Sequence, residues 1–515
     1  MSQEPVATSP SISQAVAQAR ADFSHTVNRL KDLVRIPSCS FPGFDATHVE
    51  ASALATADWL RAAGYPDVRV CRLPGVLPYV IAMDHRAGPL KPTVLLYAHH
   101  DVQPPLRESV WTSPPHEPVL RDGRLYGRGA ADDKAGIALH CAAAAAWNHT
   151  AGQPPVNLTV IIEGEEEIGS PHFSDFLATY ADELQADCVV IADLANVDTG
   201  LPSLTTSLRG NVSLEIELRA LKSPLHSGMW GGPVPDVTMA LCRLLATCTH
   251  ADGSLAIPGM LDHVRAPTAD ENAGFARIPF TAERFAGQAG LLHAEGLIGS
   301  SIGTAVEVHT KLWRTPALAV NAIQAGERGK TGNVLMDAAW ARIGIRIVPD
   351  MDGATVLRLL TAHLHAQCPA WARLHITDAR AGEPWSTATD HPAFAAARAA
   401  LEIGYGVAPV AIGCGASIPF VGEITARLGG IPALLIGVED PACAAHAENE
   451  SVHLADLESA VAAETALLGL LASLPIAAVR RSEFDVRRSD PADSIAAVRR
   501  SAFDVRRSDP TEIPE

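Results

Sequence analysis

TVLLYAHHD (residues 93–101), GRGAADDKAGIALHCAAAAAW (127–147), LTVIIEGEEEIGS (158–170) and CVVIAD (188–193) follow one another along the chain. The apolar runs at 93–97, 158–163 and 188–193 have the length of buried strands, while helical patterns fill the gaps near 134–147 and 170–184. Short strands alternating with helices of this length predict an α/β unit with a largely parallel sheet flanked by helices. Toward the N-terminus, Val16, Ala19, Phe23, Val27, Leu30 and Leu33 recur at helical spacing over 11–36. A second helix is predicted over 47–63, ending before Gly64-Tyr65-Pro66.

The pattern changes near residue 207. VSLEIELRA (212–220) alternates apolar and polar residues, as a strand with one wet face should. A second alternating strand at 339–348, a helix at 354–368 and a third strand at 373–377 follow. Antiparallel strands with helices on one face predict an α+β domain inserted into the first. After about residue 384 the α/β pattern returns, with a helix at 392–403, a strand at 432–437 and a last helix at 454–473. The expected division is a discontinuous first domain of 1–206 and 385–475, an insertion of 207–384, and a tail of 476–515. In that tail IAAVRRSEFDVRRSDP (476–491) recurs at 495–510 with Ala502 in place of Glu483, eight arginines interleaving with acids. A solvated appendage and a docking segment both fit it, and two copies are too few for a solenoid.

Composition narrows the function. The 515 residues carry 40 Lys+Arg against 58 Asp+Glu, a net charge of −18, which argues against a nucleic-acid binder. With 47% apolar and 19% charged residues, the chain is globular and long enough for more than one domain. No apolar run approaches the ~20 residues of a membrane span, and the first 18 residues lack the basic and apolar regions of an export signal. Nine scattered cysteines without a C-x-x-C pair suit buried thiols in a reducing cytoplasm.

Acidic and histidine clusters stand at the ends of the predicted strands, where α/β sheets place their ligands. His99-His100-Asp101 follows one, and Glu163-Gly164-Glu165-Glu166-Glu167 follows another; Asp193 ends a third. Asp132-Asp133 opens a helix behind a glycine-rich turn, and His446 lies in AHAENE (445–450). Singly, each has an ordinary explanation: a core histidine, an N-cap, a solvated acidic loop. Together, carboxylates and imidazoles without thiolates suit paired Zn²⁺ or Mn²⁺ ions. Two ions ~3.5–4 Å apart need a shared carboxylate, a bridging water and a free carboxylate to take that water's proton.

YAHHDVQP (97–104), GRGAADDKAG (127–136), EGEEEIGS (163–170), Asp193, LHSGMWGG (225–232), IRIVPD (345–350), GASIP (415–419) and AHAENE occur in a telling order. The set resembles the dinuclear zinc exopeptidases of the carnosinase and cytosolic nonspecific dipeptidase type, over about residues 15–473. The broader family includes N-acyl amino acid deacylases and succinyl-diaminopimelate desuccinylases. The resemblance implies a catalytic first domain and an inserted lid or dimerisation domain. It implies metal ligation by His99, Asp132, Glu167, Asp193 and His446, with Asp132 bridging two divalent ions per subunit. Asp101 would orient His99, Glu166 would be the general base, and the Asp132–Asp133 peptide would be cis. His226 would reach the site of a partner subunit in a homodimer and polarise the scissile carbonyl. Asn333, Arg346 and Ser417 would grip the substrate's backbone and terminal carboxylate. The implied activity is hydrolysis of a dipeptide or short peptide near its free carboxylate, in the cytoplasm, without nucleic acid or membrane. Gly413, Cys414 and Ala416 depart from the Arg, Glu and Gly usual in the dipeptidase branch. Cleavage of an N-acyl amino acid by the same centre therefore stands as an alternative, as does a silent binding protein working through its repeat.

Overall fold

The structure is a computed structural model that describes residues 9–293, 297, 303–330, 332–415 and 418–480. Its largest element is a nine-stranded mixed sheet. Asn157–Glu163, Thr93–His99, Cys188–Ile191 and Ala433–Leu435 run parallel through its centre. They are buried almost throughout, which is why they read as unbroken apolar runs rather than alternating ones. One face packs on Pro10–Ala21, Lys134–Ala151, Pro392–Tyr405 and Leu454–Ser473; the other is covered by Phe173–Thr179 and Pro419–Arg427.

The chain leaves this sheet after strand Ser203–Leu208 and rejoins it at Trp385–Ser386. Between them lies a four-stranded antiparallel sheet in the order Ala317–Gln324, Ala338–Ile347, Gly210–Arg219, Arg373–Gly382. Helices Val237–Ala246 and Gly353–Gln367 pack on its apolar face and close a second core. The two crossing segments meet at Gly210, where a Cβ would stand 2.4 Å from the Gly382 carbonyl oxygen, so only glycine fits. The fold class is thus the expected one, α/β with a mostly parallel central sheet and an inserted α+β lid.

Several local expectations differ. The helix over 11–36 is two helices, Pro10–Ala21 and Phe23–Val34, because Asp22 closes the first and heads the second. Its backbone N–H ends one ladder at Gln18, and its carboxylate accepts from the Gln18 amide. The helix over 170–184 is the single short helix Phe173–Thr179. The strand at 373–377 continues to Gly382 past a register shift at Thr377/Arg380. The segment carrying helices Ala269–Phe275 and Ala305–Arg314 packs on strand Val410–Cys414 of the first sheet, forming a separate aromatic cluster around Phe275 and Trp313. Beyond the short helix Ile476–Val479 and Arg480, the tail repeat lies outside the described residues. Among the described residues no helix is long and apolar enough to cross a membrane.

Candidate metal centre

The acidic and histidine clusters meet at the C-terminal ends of the parallel strands. His99 is the last residue of Thr93–His99, and Asp193 lies two residues beyond Cys188–Ile191. Glu166 and Glu167 form one tight turn, Glu166–Ile168, just after Asn157–Glu163. The Asp101 carboxylate accepts from the backbone N–H of both Glu166 (3.2 Å) and Glu167 (3.1 Å), and from the Ser40 hydroxyl (2.6 Å). Asp133 caps helix Lys134–Ala151 through Gly136 N and also accepts from His99 N, and the Asp132–Asp133 peptide is cis. His446 sits on a loop residue with φ +61° and a half-exposed ring.

Asp132 is the common member. Its Oδ1 lies 3.0 Å from His99 Nε2, which is also 3.5 Å from Asp193 Oδ1. Its Oδ2 lies 2.8 Å from His446 Nε2, which is 3.3 Å from Glu167 Oε2. Two groups able to hold an ion result, His99–Asp132–Asp193 and Asp132–Glu167–His446, each with ligand atoms within 4.8 Å of one another. His99 Nδ1 faces the Asp101 backbone carbonyl at 3.1 Å and the Asp101 carboxylate at 3.4 Å, so that nitrogen donates. Nε2 is then the nitrogen turned to the Asp132 and Asp193 carboxylates: it donates to them as the site stands and would offer its lone pair to a cation placed between them.

Electrostatics favour the same occupant. Burial, then the charges of Asp193 and Asp132, push Glu166 well above the usual carboxylate range; burial and Asp132 do so for Glu167. Burial also raises Asp193. Burial works against ionisation of Asp132 as well, yet hydrogen bonds from His446 and His99 hold it well below that range. Several buried acids crowd two imidazoles, and hard oxygen and nitrogen donors without a thiolate in either group fit divalent cations.

The remaining sequence-predicted residues are distributed differently. His226 and Asn333 are exposed and adjacent, beside the two-residue ladder of Leu225–His226 with Val334–Leu335, and outside both metal-holding groups. Arg346 is half-buried on Ala338–Ile347 opposite Asn211. Ser417 lies outside the described residues.

Two supports escaped the sequence reading. Glu450, fully buried, accepts from Arg128 Nη1 (2.7 Å), Gly129 N (2.9 Å), Ala131 N (2.9 Å) and Asp132 N (3.1 Å), and so shapes the loop that presents Asp132. Its place in AHAENE, beside the arginine of GRGAADDK, was the available signal. Arg209 is the other: its Nε donates to the Gly415 carbonyl, Arg346 lies across the strand pair opposite Asn211, and burial together with the Arg346 charge lowers the Arg209 pKa. A lone arginine after a polar strand carried no such signal.

Comparison with known proteins agrees with this geometry. The family model described as peptidase family M20/M25/M40 matches residues 95–469. A cysteinylglycine-S-conjugate dipeptidase of Corynebacterium striatum is 31% identical over 433 residues, 83% of this chain and 91% of that protein. A β-Ala-His dipeptidase of Rattus norvegicus is 28% identical over 385 residues, 73% of this chain and 76% of that one. The crystal structure of human carnosine dipeptidase 1 superposes with a TM-score of 0.76 at 25% identity, covering 92% of this chain and all of that one.

Proposed function

The chain belongs to peptidase family M20/M25/M40, and from that premise we propose that it is a dipeptidase cutting beside a free C-terminal carboxylate. The observation that carries the reading is Asp132, one carboxylate shared by two histidine-containing groups, with Glu166 on the turn that presents Glu167. In this reading His99, Asp132 and Asp193 hold one divalent ion and Asp132, Glu167 and His446 the other; Zn²⁺ suits the donors, and Mn²⁺ is the alternative. Bound there, such ions would supply Lewis acidity, lowering the pKa of a water at the site toward neutrality and polarising a carbonyl.

The protein's own groups do the rest. Glu166, on the turn that presents Glu167, takes the proton of the attacking water as the new C–O bond forms. It then gives that proton to the amine nitrogen as the C–N bond breaks. Asp101 ties the Glu166–Glu167 backbone to the His99 ring and so fixes base and ligands in one frame. Arg346, with Arg209 beside it, pairs with the terminal carboxylate, a task suited to the guanidinium fork, aided by Asn333 and Ser417. His226 serves the site of a second copy and completes its oxyanion pocket. Its exposure, beside exposed Met229 and Trp230, supports a homodimer built on the 207–384 lid. The catalytic domain is then 1–206 with 385–475. Cytoplasmic residence without nucleic acid or membrane accords with the acidic charge and nine free thiols.

Glu166→Gln tests the chemistry. It should retain its metal and its melting temperature while kcat on a dipeptide falls ~10²-fold or more. Near-normal turnover would remove Glu166 from the mechanism.

A further inference from the structure

A cavity of about 360 Å³ opens between strand Val410–Cys414 and helices Ala282–Gln288 and Ala305–Arg314, a volume within the range of small-molecule sites. Phe280, Phe285, Leu312, Trp313 and Ile412 line it with apolar surface. Its charged neighbours are already spoken for, since Arg284 and Asp198 form an ion pair at its wall. Gly413 and Trp313 belong together: a Cβ at 413 would stand 2.7 Å from the Trp313 Cβ and 2.9 Å from its Cγ, so the indole occupies the space a larger residue would take.

The cavity adjoins both halves of the site. On the metal side it is lined by Ala195 and Asn196, two and three residues past Asp193; Ala195 lies opposite Glu439 in an isolated parallel bridge, and Asn196 N donates to the carbonyl of Glu439, in the loop that leads to His446. On the other side it is lined by Cys414 and Gly415, whose carbonyls accept from Arg209 N and Nε. Arg209 stands against Gly415, so a carboxylate held by Arg346 and Arg209, as the reading above assigns it, would lie at the Gly415 wall with the side chain on the adjoining carbon toward the apolar chamber.

We propose that this cavity receives the side chain of the substrate residue bearing the free carboxylate and selects a bulky apolar one, aromatic or branched aliphatic. The inference rests on the metallopeptidase reading above for the placement of that carboxylate. A charged side chain would lose its hydration here beside an ion pair already closed on itself, whereas each methylene buried in such a pocket discriminates by ~10-fold or more. Phe280 and Phe285, the half-buried aromatic wall, set the preference.

The test uses the full-length, metal-loaded protein and measures kcat/KM for Gly-Gly, Gly-Phe, Phe-Gly and Gly-Asp, with N-acetyl-Phe and N-acetyl-Gly as a second set. Gly-Phe should exceed Gly-Gly and Gly-Asp by ~10-fold or more. Phe285→Ala should lower the Gly-Phe/Gly-Gly ratio ~10-fold, and Phe285→Leu should restore part of it. The Phe-Gly/Gly-Gly ratio should be unmoved in both variants. Ala289→Trp, which fills the cavity from an exposed position, should lower the same ratio without disturbing the aromatic wall. No Gly-Phe preference in the wild type, or equal effects on Gly-Phe and Phe-Gly, overturns the proposal. If no dipeptide is cut but N-acetyl-Phe is cleaved well ahead of N-acetyl-Gly, the dipeptidase reading fails and the pocket assignment stands. Turnover of neither set refutes both.

Discussion

Glu450→Gln probes the loop that presents the shared carboxylate. In the wild type, Oε2 takes hydrogen bonds from Arg128 Nη1 and Gly129 N, while Oε1 takes them from Ala131 N and Asp132 N. Both side chains of the ion pair are essentially inaccessible, so the pair draws little help from water. The amide keeps the size of the acid but has one acceptor oxygen. Two of the four donors must then face an NH₂ group. Breaking a buried ion pair costs ~3–5 kcal/mol, and an orphaned buried N–H ~1–3 kcal/mol. Because glutamine keeps one oxygen, a loss of ~3 kcal/mol is expected. The loop between Gly129 and Asp132 should also drift, weakening metal binding ~10–100-fold, as removal of a ligand's supporting contact does. Urea unfolding of chelator-treated protein reads the first number, and competition with a chromophoric chelator reads the second. Arg128→Met and the double variant complete a cycle, in which the double should cost less than the two singles together. A Glu450→Gln protein within ~0.5 kcal/mol of wild type, with metal affinity within about twofold, would refute the view that this carboxylate organises the centre.

Glu271 offers a pH test away from the metals. Burial alone would raise it, but Arg265, the Thr268 backbone and Arg314 hold it at about 2. Its folded pKa is below the unfolded value, so its stabilisation is present above about pH 4.5 and lost as pH falls toward 2. Partial exposure and screening leave ~1 kcal/mol, so the difference in urea-unfolding free energy between wild type and Glu271→Gln should shrink by about half that amount from pH 6 to pH 3 and by the rest as pH nears 2; an unchanged difference would dismiss the network. Gly437→Ala should cost ~1–3 kcal/mol or more, because a Cβ there would fall 1.5 Å from the Leu194 carbonyl oxygen, next to Asp193. A melting temperature equal to wild type would show that this contact yields freely. Removing divalent ions should abolish turnover and lower the melting temperature, since ions at 100 times their Kd stabilise by ~2.7 kcal/mol; scanning calorimetry with and without chelator measures it, and an unshifted transition would count against a resident ion.

Much of this architecture was legible along the chain. Thr93–His99, Asn157–Glu163 and Cys188–Ile191 announce themselves because strands buried on both faces need continuous apolar sequence. Gly210–Arg219 does so because one face is wet and the alternation survives. Helix Leu454–Ser473 is found to the residue, although its sides are nearly all apolar. The break at Asp22 was not foreseen, since apolar spacing runs across it and only the capping bonds reveal it. Strand Ser203–Leu208, with serine or threonine at four of its six places, lacked any apolar signal. The docking of Ala269–Phe275 and Ala305–Arg314 onto the first sheet is a long-range choice that no local period encodes.

The candidate site divides along the same line. Local chemistry singles out the clusters at 99–101, 132–133 and 163–167 with Asp193 and His446, because like-charged groups packed at strand ends call for a compensating cation; the choice of His99, Asp132, Glu166 and Glu167 within those clusters comes from the family resemblance. Which oxygen meets which imidazole, that Glu450 accepts from Asp132 N and so holds its loop, and that Arg346 lies opposite Asn211, two residues past Arg209, are decided only when the chain closes on itself. Such pairings join residues up to some 320 positions apart, and their distances are set by the packing of whole strands and helices, not by any spacing along the backbone.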